Sequence, residues 1–82
     1  MKLMGRIFRV EIIYPSKYYS EKMDIGIKTI AESFGVQGAW SWYVEKNRVL
    51  HLYFHSEVDA KAFLRFFVLN IKVDRHVKEL TT

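Results

Sequence analysis

Side chains that could stack on flat ligands or move protons recur at alternate positions in two stretches of the chain. Trp40 and Trp42 form the first stretch, and His51, Tyr53 and His55 form the second. Alternate residues of a β-strand share one face, so each stretch directs its set to one side of a sheet. Aromatic rings bind by stacking, and imidazole also exchanges protons near neutral pH. The spacing therefore predicts a binding or catalytic surface on a sheet.

The strand that would carry an acidic partner for these rings is predicted over residues 7–14. Apolar side chains alternate there with Arg9 and Glu11, which indicates that one side is buried and the other is open. Pro15 ends this strand, because proline has no amide hydrogen to donate to a neighbouring strand.

Two helices and three more strands are predicted around this first strand. Ser20 caps a helix with one apolar stripe that ends before Gly35, and Ser56 caps a second helix that runs to about residue 70. Strands are predicted over residues 40–44, 49–54 and 71–77, with residues 45–48 as a turn. A loop of two or four residues would place Trp42 opposite His51 and Trp40 opposite Tyr53.

The resulting order, βαββαβ, predicts a single ferredoxin-like α+β domain over residues 1–82. Right-handed crossovers give a four-stranded antiparallel sheet of order 4-1-3-2 with both helices on one face. The other face, here called the open face, has no helix to cover it. Its predicted residues are Arg9, Glu11, Trp40, Trp42, His51, Tyr53, His55, Lys72, Asp74 and His76.

Composition limits the kinds of function that this domain can have. The 82 residues carry 13 Lys and Arg against 9 Asp and Glu, a net charge of +4, which mildly favours acidic partners such as nucleic acid. Cysteine is absent, which excludes disulfides, thiolate metal sites and thiol catalysis. No stretch resembles a signal peptide or a membrane span, so we expect a cytoplasmic protein with no membrane partner.

Binding of single-stranded RNA or DNA is one hypothesis for the open face. RNA-recognition modules share this fold and stack bases on sheet aromatics. Here Trp40, Trp42 and Tyr53 would stack bases. The phosphates would be met by Arg9, Lys72 and the turn residues Lys46 and Arg48. The specific signature of those modules is absent: at residues 47–54, Arg48 replaces its glycine, and Val49 and His51 replace its stacking aromatics.

Self-association and catalysis are two further hypotheses for the same face. A small domain gains core by pairing sheet to sheet as a homodimer, and aromatic residues suit such an interface. Two facing sheets could also enclose an enzyme pocket, with His51 as base, Glu11 as its orienting group and Tyr53 as a donor to an oxyanion.

Protein recognition is the hypothesis that we favour from the sequence. Small basic domains without catalytic motifs are frequent among regulators and inhibitors, and virus-encoded inhibitors of host systems are among them. The contact surface is either the open face or the wide apolar arc of the second helix, where Phe66, Val68 and Leu69 stand out. Glu11 at the centre of the open face repels phosphate, which favours protein over nucleic acid as the ligand.

A metal, a cofactor and an enzymatic role are not expected. His51 and His55 lie about 13 Å apart on one strand at 3.3 Å per residue, and His76 lies beyond the first strand, so the imidazoles cannot converge on zinc. None of the common phosphate-binding, dinucleotide-binding, hydrolase or zinc-protease motifs is present. The sequence thus predicts a non-enzymatic binding domain.

Overall fold

A computed structural model describes residues 6–67 and 73–80 of the chain. The elements follow the predicted order: β1 Ile7–Pro15, α1 Glu21–Ser33, β2 Gly38–Val44, β3 Asn47–Phe54, α2 Glu57–Phe66 and β4 Asp74–Leu80. A 3-10 turn at Ser16–Tyr18, which the sequence analysis did not predict, joins β1 to α1.

The four strands form one antiparallel sheet in the order β2-β3-β1-β4. Read from the other edge this is the predicted 4-1-3-2, so the ferredoxin-like fold class is confirmed. β1 lies at the centre and pairs with β3 on one side and β4 on the other. The two edges of the sheet are therefore β2 and β4.

The core lies between the sheet and the two helices. Alternate residues of β1 and β3 point into it, and each helix adds an apolar stripe, which the sequence predicted for α1. Its buried members are Phe8, Val10, Ile12, Tyr14, Ile27, Ala31, Leu50, Leu52, Phe54, Ala60, Phe63 and Phe67.

Local signals fix the starts of both helices and the end of α1 where the sequence predicted them. The side chain of Ser20 accepts a hydrogen bond from the amide of Met23, and Ser56 accepts one from Asp59. Beyond α1, Gly35 has φ +87°, a left-handed conformation that favours glycine. In the described ranges, no helix is long and apolar enough to cross a membrane.

The end of α2 and the start of β4 were predicted wrongly. α2 ends at Phe66, because Phe67 is already extended and its carbonyl accepts a hydrogen bond from Arg75 of β4. β4 begins at Asp74, three residues later than expected. The predicted contact residues Val68, Leu69 and Lys72 lie outside the described residues.

The register of the β2–β3 hairpin also differs from the prediction. The turn has two residues, Glu45 and Lys46, and it lies one residue nearer the start of the chain than the predicted pairing requires. Trp40 rather than Trp42 therefore lies opposite His51. The shift is two residues, and two is the period of a strand. Each side chain therefore stays on its predicted face although its direct partner changes.

Candidate functional site

The open face brings most of the predicted residues together. Strand pairing places Arg9 opposite Tyr53, and it aligns Trp40, His51, Glu11 and His76 in one row across all four strands. Residues paired across antiparallel strands share a face. His55 follows the end of β3 and is exposed there, so it lies beside this face rather than in it.

Glu11 is the centre of a hydrogen-bond network in this row. Its Oε2 lies 2.7 Å from Nε2 of His51, and its Oε1 lies 2.8 Å from Nε2 of His76. A carboxylate can only accept, so both imidazoles donate to it. The two histidines lie on opposite sides of β1, as predicted, and one carboxylate holds both of them.

The network continues from His51 to Tyr53. Since Nε2 of His51 donates to Glu11, Nδ1 of the neutral ring is an acceptor, and the Tyr53 hydroxyl lies 3.4 Å from it. His51 is only 8% exposed, so its position is fixed. The line Tyr53–His51–Glu11–His76 can hold a fixed pattern of polar groups or pass a proton along its length.

The charge of Glu11 is stabilised by this arrangement. The hydrogen bond from His51 lowers the pKa of the Glu11 carboxyl below its usual 4.5, although partial burial opposes that shift, and His76 lowers it further. Glu11 is therefore ionised at neutral pH. A negative charge occupies the middle of the open face.

The two tryptophans differ in how they meet this network. The Trp42 ring packs edge-on against His51, with ring centroids 4.6 Å apart and planes at 80°. Trp40 is 65% exposed. One indole thus covers the imidazole, and the other presents a large apolar surface to solvent.

Charges on the described part of the open face balance one another. Arg9 lies opposite Lys78, and Asp74 lies on the same face near Ile13, while Glu11 occupies the centre. Two cations thus face two anions when the histidines are neutral. The net charge of +4 belongs to the whole chain and is not concentrated on this surface.

Arg48, which was predicted to meet phosphates at the turn, is buried on the opposite side of the sheet. Its guanidinium donates to Asp24 at 2.7 Å and to Ser41 at 3.0 Å, and it is 8% exposed. The rings of Tyr19 and Tyr43 flank it, with centroids 4.7 Å and 4.5 Å from its central carbon. This prediction was wrong because the turn is shorter than expected and Arg48 belongs to β3.

The same buried cluster includes Tyr14, which lies opposite Arg48 in β1. Its hydroxyl has no hydrogen-bond partner among the described residues, and Asp24 likewise has one unpartnered carboxylate oxygen. Burial, with the nearby charge of Asp24, raises the pKa of Tyr14 to about 12. The bond to Asp24 raises the pKa of Arg48. This cluster ties α1 to the sheet, and its members Tyr14, Asp24 and Arg48 are buried.

Two other surfaces are weaker candidates for a binding site. Phe66 is 64% exposed at the end of α2, although its ring still touches that of Phe34. A hollow of about 500 Å³ lies near the hairpin turn, and none of its lining residues is buried: Pro15, Ser16, Lys17 and Lys46. Within residues 6–67 and 73–80, no cluster of three or more potential ligands could hold a metal ion.

Comparison with known proteins gives similarity of structure and none of sequence. No family model matches the chain, and no curated protein matches its sequence. Among solved structures, a protein from Thermus thermophilus that is provisionally named a PII-like signaling protein superposes with a TM-score of 0.72. The superposition covers 93% of this chain and 87% of that one at 14% identity. At this identity the likeness supports the fold and leaves the function to the site.

Proposed function

We propose that this chain is a non-enzymatic regulatory domain that binds a protein partner through its open face. The observation that carries the proposal is Trp40, which is 65% exposed beside the buried His51. An exposed aromatic next to fixed polar groups is typical of the residues that contribute most to protein binding. The name of the Thermus relative adds a regulatory role as a candidate.

The geometry of the network supports recognition rather than catalysis. A general base needs a free lone pair directed at its substrate. Both ring nitrogens of His51 already face a neighbour, Glu11 on one side and Tyr53 on the other, and Trp42 packs against the ring. His51 therefore supports its neighbours as a positioning residue, and the exposed groups around it make the contact.

The electrostatics of the open face favour protein over nucleic acid. Phosphate binding requires a clear excess of cations along the ligand path. Arg9 and Lys78 are balanced by Glu11 and Asp74 on this face, and Arg48 is buried behind the sheet. A partner surface of mixed polarity with an apolar pocket for Trp40 fits this pattern.

A paired set of variants tests the proposal. The wild-type chain, Trp40→Ala and Val58→Ala are immobilised and exposed to nuclease-treated extract of the source organism, and bound proteins are identified and then purified. Val58 is the matched control, because it is 72% exposed but lies on α2, behind the sheet. We expect one protein to bind the wild type and Val58→Ala and to bind Trp40→Ala at least about tenfold more weakly.

The same variants distinguish nucleic acid from protein as ligand. Both tryptophans lie on the open face, so their fluorescence reports any ligand that covers it. Titration with mixed single-stranded oligonucleotides should leave the emission unchanged at about 0.15 M salt. Binding that Trp40→Ala abolishes and that falls steeply with salt would contradict the proposal in favour of nucleic acid.

A further inference from the structure

The two edges of the sheet differ sharply in charge. β4 carries Asp74, Arg75, Lys78 and Glu79 within seven residues, whereas β2 has none in its seven. Edge strands expose unpaired backbone groups, and charges along an edge are a common protection against pairing with another strand. β2 lacks that protection, and Trp40 and Tyr43 are exposed along it.

We propose that β2 pairs with β2 of a second copy of this chain, antiparallel, around a two-fold axis at Ser41. The two sheets then join into one continuous sheet of eight strands, with both open faces on the same side. This dimer goes beyond the proposed function, since it uses the strand edge. The rest of the open face stays accessible to a partner, and Trp40 lies at the seam between the two copies.

The side chains of β2 are complementary to themselves in this register. Ser41 is the middle residue of Gly38–Val44, so an axis there uses the whole strand. The residue numbers of each facing pair then sum to 82. This places Trp40 opposite Trp42 of the second copy and Tyr43 opposite its Ala39. Aromatic pairs form on the open face, and a large side chain meets a small one on the helix side.

Charges beyond the ends of β2 support the same register. Glu45 and Lys46 of one copy would extend past Gly38 of the other. A shallow groove lies there along α1 and the start of β2, lined by Lys28, Glu32, Val36, Gln37, Gly38 and Ala39. The acid and base on the turn of each copy thus lie near Lys28 and Glu32 of the other copy. The charges are complementary, and the contact occurs at both ends of the paired strands.

The size of this contact predicts a weak dimer. Stable interfaces bury about 800 Å² on each partner, and one seven-residue strand edge with its flanking groups falls below that. We therefore expect a dimer that dissociates on dilution, with a midpoint on the order of micromolar to tens of micromolar.

Sedimentation of the full chain over a range of concentrations tests the dimer. Ala39→Lys places a charge on the edge strand, on the side away from the open face, and Val58→Lys adds the same charge on α2. We expect the wild type and Val58→Lys to dimerise alike, and Ala39→Lys to shift the midpoint upward at least about tenfold. A wild type that stays monomeric to millimolar concentration, a trimer, or an unaffected Ala39→Lys would overturn the proposal.

Cysteine substitution tests the register independently of affinity. The chain has no cysteine of its own. Ser41→Cys faces its own copy across the axis and should form a disulfide dimer under mild oxidation, whereas Ala39→Cys alone should not. Mixing Ala39→Cys with Tyr43→Cys should give the mixed dimer. Efficient crosslinking of Ala39→Cys to itself would contradict this register even if a dimer exists.

The outcomes also separate this inference from the proposed function. If Ala39→Lys is monomeric and still binds the protein partner, the dimer and the open-face site are both supported and are independent. If Trp40→Ala binds the partner normally while Ala39→Lys no longer dimerises, the proposed function fails and the edge pairing stands.

Discussion

The sheet carries a charged cluster on each side, and the two clusters differ in their contact with water. Behind the sheet, Arg48 and Asp24 are both buried at 8% and 6% exposure, and two tyrosine rings cover the guanidinium. On the open face, Glu11 binds two histidines, one of which, His76, is exposed. One cluster excludes water, and the other is in contact with it.

This difference separates a structural role from a role in recognition. An arginine stays charged at every accessible pH, and the buried Arg48–Asp24 pair holds α1 on the sheet. The cluster at Glu11 lies on the open face, where His76 is exposed and a bound partner can contact it. Changing the buried cluster should therefore alter stability more than changing the Glu11 cluster, and the two changes should differ in their pH dependence.

Removal of Asp24 should have the largest effect of any single change considered. Asp24→Ala leaves the Arg48 charge buried without its partner, and loss of one member of a buried pair costs about 3–5 kcal/mol of folding free energy. A domain of this size has about 4–12 kcal/mol in total. Urea unfolding followed by circular dichroism measures the loss.

The double variant Asp24→Leu/Arg48→Met is the control for that prediction. It removes both charges and fills the same space with apolar atoms, so it should recover most of the stability. It also keeps the test valid if Asp24→Ala does not fold. If the double variant is as unstable as the single one, the charge itself is not the cause.

Tyr14→Phe should raise stability by about 1 kcal/mol, because it removes a buried hydroxyl that has no partner among the described residues. The raised pKa of Tyr14 gives a second measurement. The folded state favours the neutral form of Tyr14. Its contribution to the stability of the fold is therefore complete below pH 10 and is lost as the pH rises towards about 12. The variant should therefore be less sensitive to alkaline unfolding, and equal sensitivity would contradict this account.

Glu11→Gln should have the smallest effect of these variants on stability at neutral pH, and its difference from the wild type should disappear in acid. The pKa of Glu11 is lowered in the fold, so its stabilising contribution is present above pH 4.5 and is lost as the pH falls through the lower folded value. The wild type should lose its advantage over Glu11→Gln in that acidic range. Unfolding midpoints of both proteins from neutral pH down into acid measure this, and parallel curves would show that the histidines do not stabilise the charge.

The fold was predictable because its signals are local and periodic. Alternation marked the strands and the 3/4 spacing marked α1, while Ser20, Ser56 and Gly35 marked the helix ends. The open face survived an error in the hairpin register, since a shift of two residues moves no side chain to the other side. The aromatic and histidine residues were thus grouped correctly before their contacts were known.

The buried cluster was not predictable from local pattern. Asp24 was not singled out in the sequence, and Arg48 was assigned to the turn. Their attraction joins residues 24 positions apart, and only the folded chain brings them to 2.7 Å. The end of α2 was missed for a similar reason. The apolar pattern continues beyond Phe66, and contact of Phe67 with Arg75 ends the helix.

The charges on β4 have a consequence for how far any assembly of this chain could grow. A polymer needs two adhesive surfaces on each subunit, so that every added copy presents a fresh one. If β2 is consumed by pairing with its own copy, both outer edges of the joined sheet are β4, which carries four charges in seven residues. Growth then stops at two subunits, and the arrangement is protected against fibre formation.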